Sequence, residues 1–197
     1  MTSRRHLLSL SALAVVLGRL TPVRAETAEQ AVAFIRLFGD RLVAVVNGSG
    51  TAAERQRALT ELLDRSVDVD GVARFCLSRF WNQATPEQQR RYVALFHQVL
   101  VANVTAKVGE YKGISYTIGS SRVEGGQEIV STVVSRPNNP PTNVDWIVTR
   151  DTGSMKIIDM VAGGTSLRLT QRQDYTSFLS HNSNNVDALI TAMRNQV

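Results

Sequence analysis

Cysteine is almost absent from this chain. Cys76 stands alone among 197 residues, so no intramolecular disulfide can form and the apolar core must hold the fold unaided. Histidine is scarce as well, with three residues. His6 lies in the N-terminal segment, and neither His97 nor His181 has a second histidine or a cysteine at metal-ligand spacing, so no metal site is expected. His97 reads instead as a helix-surface or partly buried residue. The G-x-S-x-G, H-E-x-x-H and G-x-x-x-x-G-K-[ST] patterns are missing, which removes the commonest signatures of a nucleophile elbow, a zinc protease and a phosphate loop.

A strong charge of one sign is missing too, once the N-terminus is set apart. The chain has 22 basic and 17 acidic residues, and Arg4, Arg5, Arg19 and Arg24 fall within the first 25, leaving 18 against 17. A domain so nearly neutral lacks the electrostatic footprint of a nucleic-acid binder. Long hydrophobic runs are confined to LLSLSALAVVLG near the start. That run follows Arg4-Arg5, is shorter than the roughly 20 residues a membrane span needs, and leads to Val23-Arg24-Ala25, a small-x-small cleavage pattern. Residues 1–25 therefore read as a removable export signal. Their Ser3-Arg4-Arg5-His6-Leu7-Leu8 core leaves open the general route or a twin-arginine one. Residues 26–197 then form a single domain, long enough to bury a sizeable core.

What is present changes character halfway along the chain. Ala31, Phe34, Ile35, Phe38, Leu42, Val45 and Val46 recur at helical spacing until Asn47-Gly48-Ser49-Gly50 stops them. Thr51-Ala52-Ala53-Glu54 is a capping box opening a helix that buries Leu59, Leu62 and Leu63. A third helix is expected near Asp70. Thr85-Pro86-Glu87-Gln88 combines N-cap, N1 proline and N3 glutamine, and starts a fourth that runs to Gly109. Beyond it the period becomes two. Segments 114–124 and 127–136 flank Gly125-Gly126, and 144–150 and 155–161 flank Asp151-Thr152-Gly153-Ser154, the pattern of two hairpins. Helices over 170–180 and 186–195 close the chain. The whole reads as α+β, with amphipathic helices on one face of a twisted, four-stranded antiparallel sheet.

Two stretches invite a chemical reading. Ser66, Asp68, Asp70 and Gly71 match part of a calcium loop, but Leu77 stands where the bidentate glutamate belongs, so helix capping is the better account. Gly163-Gly164-Thr165-Ser166, followed by Arg168 and Arg172, offers backbone N–H groups and cations to an anion. A phosphate loop follows a parallel strand and keeps a lysine, whereas this stretch follows a hairpin strand. A sheet-to-helix turn is expected there, with the two arginines available to a headgroup or a partner. Asp145, Asp159 and His97 are the acid and base candidates for an enzyme, if they converge.

Several further segments bring a family resemblance. Phe80-Trp81-Asn82-Gln83-Ala84-Thr85-Pro86, then Tyr111-Lys112-Gly113, Val144-Asp145-Trp146, Ile158-Asp159-Met160, Gly164-Thr165-Ser166-Leu167 and Thr170-Gln171-Arg172-Gln173-Asp174-Tyr175 resemble, in order and spacing, the MlaC or toluene-tolerance auxiliary proteins of ABC lipid transport. The runs VDWIV, SLRLTQRQDYTSFL and ALITAMRNQ resemble the branch associated with hopanoid biosynthesis. The chain departs from the family at Thr165, where valine is usual, and at the polar turn His181 to Asn185.

The resemblance implies an NTF2-like cup enclosing an apolar pocket, without cofactor, acting as a periplasmic monomer. Its cargo would be a phospholipid or hopanoid-type lipid and its partners membrane-bound ABC components. A palmitoyl-length tail costs on the order of 12 kcal/mol in water at about 0.8 kcal/mol per methylene, so such a carrier must supply apolar surface and needs no reactive group. The expected tail contacts are Phe75, Trp81, Tyr92, Phe96, Val99 and Leu100 on the middle helices, and Trp146, Val148 and Met160 on the strands. A non-carrying adaptor, with its interior filled by side chains, is the other reading.

Overall fold

The computed structural model describes residues 23–197, so most of the expected export signal lies outside the described residues. Helix α1 (Val23–Asn47) buries Ala31, Ile35, Phe38 and Val46, the face that the helical spacing predicts. Helix α2 (Ala52–Ser66) opens with the expected capping box: Glu54 N–H donates to Thr51 Oγ1 at 3.2 Å and Thr51 N–H to Glu54 Oε2 at 2.7 Å. Helix α3 (Val69–Leu77) begins under Asp68, which accepts from Gly71 N–H at 3.1 Å. The calcium-like aspartate therefore caps a helix.

After a 3-10 turn over Ser78–Asn82, α4 (Pro86–Lys107) starts from the reciprocal Thr85–Gln88 box and gives way to a second 3-10 turn, Val108–Tyr111.

Strands β1 (Ser115–Glu124), β2 (Gln127–Ser135), β3 (Thr142–Thr149) and β4 (Lys156–Ala162) form the two expected hairpins. A fifth strand, β5 (Thr165–Ser166), pairs with β4, and the order β1-β2-β3-β4-β5 is an open antiparallel meander. Gly163 and Gly164 form its turn at φ 56° and 82°, the pair of positive values that a two-residue hairpin demands. The expected sheet-to-helix turn is thus a hairpin first. Ser166 ends it and at once caps α5 (Leu167–His181), accepting from Leu169 N–H at 3.1 Å. Helix α5 for that reason starts earlier than residue 170. Helix α6 (Val186–Arg194) closes the chain, tied to α4 where Arg91 and Gln88 meet Asp187 at 3.0 and 2.7 Å.

Alternation along the strands sends apolar side chains to both faces of the sheet. Val130, Val148 and Ile157 pack against Ala31, Ile35 and Phe38 of α1, with Leu62 of α2. Ile129, Ile147 and Ile158 point the other way, where Val72 of α3 covers them. Helices therefore reach the second face as well as the first, because α3 and α5 wrap the β4 end. The largest apolar body is helical. Tyr92, Phe80, Leu77, Leu179, Ile190 and Met193, from α3 to α6, are fully or almost fully buried in it.

Candidate functional site

The contact between α1 and the sheet is a seam with unusual chemistry. Ile35, Phe38 and Leu42 come from α1, Trp146 from β3 and Val134 from β2, with Ile114 just before β1; together they line a cavity of about 30 Å³. Phe38 meets the Trp146 indole edge to face, with ring centres 5.2 Å apart at 66°, the arrangement that the ring quadrupoles favour. The Trp146 indole N–H donates to Thr132 Oγ1 at 3.0 Å, and the Thr132 hydroxyl donates onward to the Val144 carbonyl at 3.1 Å. Both polar groups of the seam floor are thereby satisfied, which leaves the remaining wall hydrocarbon and holds the indole in one orientation. An apolar hollow forfeits about 24 cal/mol for each Å³ left without contacts. That cost is the physical reason why side chains close the seam to so small a crevice.

Three polar contacts hold α1 down along the seam. Tyr116 on β1 shares its O–H between the Arg36 carbonyl at 2.9 Å and Asp40 Oδ1 at 2.7 Å. Burial first, then the hydrogen bond to the Asp40 carboxylate, pushes this phenol up to about 12, so it stays a donor at neutral pH. At the end of α1, the Asn47 amide donates to the Ile114 carbonyl at 2.9 Å and accepts from Gly113 N–H at 2.8 Å. Nearer its start, Gln30 meets Arg150 of the β3–β4 turn. Gly39 lies under Tyr116, where a Cβ would fall 2.6 Å from the ring Cζ. A glycine in mid-helix permits this close approach.

The expected tail contacts divide between two interiors. Trp146 and Val148 belong to the seam side of the sheet, and Met160 stands opposite Trp146 across the β3–β4 pair. Tyr92, Phe96 and Val99 are core members of the helical cluster, with Phe75, Trp81 and Leu100 packed against it. Tyr92 is completely buried, donates to the Ala73 carbonyl at 2.9 Å, and has the Phe96 and Tyr175 rings 6.0 and 6.1 Å away. The middle-helix aromatics therefore face one another and do not face Trp146. Ile35, Phe38 and Leu42, which line the seam, looked in the sequence like an ordinary buried helix face. Gly39 among bulky apolar neighbours was the signal that could have singled them out.

Arg168 and Arg172 lie on α5, with their guanidinium carbons 4.4 and 4.9 Å from the centre of the Phe75 ring. Beside them, buried Asp159 accepts from Ser166 Oγ, Met160 N–H and Arg168 N–H at 2.5, 2.8 and 3.0 Å. Asp159 pairs with Ile147, whose side chain belongs to the face away from α1. The arginines are thus across the sheet from the seam and not at its mouth.

A larger concavity of about 550 Å³ lies between α2, α3 and α4, lined in part by Asp64, Asp68, His97, Gln98 and Lys156. Part of its polar wall is already engaged. His97 Nε2 lies 2.6 Å from Asp64 Oδ1, and Lys156 Nζ donates to the Asp64 and Arg65 carbonyls at 2.9 and 2.8 Å, closing the end of α2. Val67, Val69, Val93 and Ala94 share its lining, but the carboxylates and the lysine among them do not suit hydrocarbon.

The acid and base candidates do not converge. His97 meets Asp64, Asp159 meets the start of α5, and Asp145 takes Ser131 Oγ and Arg122 at 2.6 and 2.8 Å. Among the described residues no group of histidine, cysteine, aspartate and glutamate could hold a metal, and no helix is long and apolar enough to cross a membrane.

An open meander with helices laid over it, and an apolar seam whose few polar groups are satisfied internally, defines a cup-like α+β binding domain. The sequence pattern of the MlaC protein family matches residues 40–195, and the chain belongs to that family. It is 22% identical over 142 residues to the toluene tolerance protein ttg2D of Pseudomonas putida; the match covers 71% of this chain and 66% of that protein, just short of two thirds. Its fold is similar to that of the phospholipid-binding protein of Ralstonia solanacearum, solved in complex with a phospholipid, with a TM-score of 0.70, 20% identity, and coverage of 83% of this chain and 94% of that one.

Proposed function

We propose that this protein is a periplasmic carrier that holds a phospholipid by its tails between α1 and the sheet and passes it between membrane-bound ABC transport components. The carrying observation is the seam: an interior contact walled by hydrocarbon, with a crevice beside Trp146 and its polar groups already paired. Membership of the MlaC family, and the phospholipid held by the Ralstonia solanacearum protein of the same fold, support the reading. The crevice of about 30 Å³ holds roughly the volume of one water in the liquid, far less than an acyl chain, so loading requires α1 to swing away from the sheet. Tails then replace the contacts that α1 gives up, which keeps the exchange near balance without ATP. Trp146, Val148 and Met160 remain on the proposed tail path, joined by Ile35, Phe38 and Leu42. Export of residues 26–197 after removal of residues 1–25, and action as a monomer, belong to the same proposal.

Mass spectrometry of the natively purified protein is expected to find stoichiometric lipid, and the extracted mass distinguishes a phospholipid from a hopanoid-type cargo. Val134→Trp, which puts a bulky ring into the crevice, is expected to abolish loading while the protein stays folded. Absence of lipid, under conditions that keep a control carrier loaded, would overturn the reading. That result would favour the non-carrying adaptor, which the small size of the crevice also suits.

A further inference from the structure

The start of α5 carries an arrangement that the seam does not use. Arg168 and Arg172 place their guanidinium groups within 4.4 and 4.9 Å of one phenyl ring, that of Phe75. Cation–π contact holds each of them, yet like charges gathered on one ring repel. The carboxylate at hand does not resolve this. Asp159 already accepts from Ser166, Met160 and the Arg168 backbone, and Arg168 Nε, 3.7 Å from its Oδ2, is buried without a hydrogen-bond partner. The Arg172 side chain makes no hydrogen bond or ion pair among the described residues. Arg168 thus keeps a long ion pair to a carboxylate already saturated, and the Arg172 guanidinium has no acceptor among the described residues. Leu167 and Leu169 on either side of Arg168 are 47% and 48% exposed. The Gly163-Gly164 turn beside them has open space around both residues.

Exposed leucines beside a guanidinium without an acceptor of its own, where a hairpin meets a helix end, match the chemistry of a bilayer surface: apolar side chains enter the acyl boundary while arginine takes the phosphate. We propose that Arg168, Arg172, Leu167 and Leu169 form a docking site for the phosphate layer of an anionic phospholipid membrane, across the sheet from the tail seam. The near-neutral remainder of the domain keeps this contact weak, so the protein lands in one orientation and leaves again. Neither the tail contacts nor the latch on α1 uses these residues, so the site stands or falls separately from the carrier reading.

Vesicle cosedimentation tests it. The protein is expected to bind phosphatidylcholine vesicles containing phosphatidylglycerol at low salt, to bind pure phosphatidylcholine much less, and to be released by salt. Arg168→Gln with Arg172→Gln is expected to weaken the anionic binding about thirtyfold, from the loss of two cations, and Leu167→Ser with Leu169→Ser to weaken it as well. Arg172→Gln alone, which gives up only the contact with the Phe75 ring, is expected to lower binding several-fold and guards against misfolding of the double variant. Lipid content by mass spectrometry is expected to stay at the wild-type level in all of them, so a failure of the carrier reading is seen apart from a failure of this one. Binding unchanged in Arg172→Gln and the double variant overturns the proposal. So does full displacement by inorganic phosphate at matched ionic strength, which would make this a small-anion site. An absence of binding to anionic vesicles also overturns it, and turns the site towards a carboxylate-bearing protein partner.

Discussion

Gly39→Ala inverts the usual sign of a helix substitution. In an ordinary helix interior this change stabilises by about 0.5–1 kcal/mol, because alanine loses less backbone entropy on folding. Here the new Cβ meets Tyr116 at 2.6 Å from Cζ and 2.9 Å from both Cε1 and the hydroxyl, well inside the roughly 3.5 Å of a comfortable contact. The ring end would yield cheaply if it were free, but Tyr116 is tied to Arg36 and Asp40. Relief therefore means giving up a hydrogen bond worth about 1 kcal/mol, together with a strained or opened seam costing about 1–3 kcal/mol. Set against the helix gain, a net loss of about 1–3.5 kcal/mol is expected. In a Tyr116→Ala background the obstacle is gone, and the same substitution should stabilise by about 0.5–1 kcal/mol. Urea unfolding of the four proteins, read as midpoints at constant slope, measures the coupling directly. An increase in stability for Gly39→Ala alone, or equal effects in both backgrounds, would refute the claim that Tyr116 latches α1.

Tyr92→Phe removes the phenol's bond to the Ala73 carbonyl, which keeps its bond within α3, and is expected to cost about 0.5–1.5 kcal/mol in thermal or urea unfolding. Lipid loading should be untouched, since Tyr92 lies in the helical core. Asp145 is drawn upward by burial, but hydrogen bonds from Ser131 and Arg122, with the charge of Arg122, outweigh this and hold its carboxyl below the ordinary range. Its stabilising contribution is present above the unfolded value of about 3.9 and fades as pH falls through the lower folded value. The stability gap between the wild type and Asp145→Asn should accordingly narrow in acid below about pH 4, as measured by denaturation at a series of pH values. Burial pushes the Cys76 thiol up to about 12, against the nearby positive charge of Arg168. A thiol reagent at neutral pH should therefore label Cys76 only as the protein unfolds.

The elements legible in the sequence were those with local causes. Thr51 and Thr85 announced their helices because a hydroxyl and a side chain three residues on satisfy backbone groups within one turn. The hairpin strands were marked by alternation and by glycines between them. Strand β5 escaped because two residues carry no period, and Ser166 both ends it and caps α5. The candidate site was only half legible. Trp146 and Val148 lie on the seam, but Tyr92, Phe96 and Val99, equally apolar in sequence, were drawn into a different interior.

Taken alone, the order of residues determined which segments become helix or strand, which positions are apolar, and that the charge beyond the N-terminal segment nearly balances. Such properties depend on neighbours a few residues away. Tertiary structure decided which apolar faces meet: α1 on one side of the meander, α3 and α5 on the other, and Phe75 beneath two arginines that come about ninety residues later in the chain. Burial by itself carries no direction, since the hydrophobic effect rewards any contact that excludes water. Only the docking of whole elements could place the crevice beside Trp146.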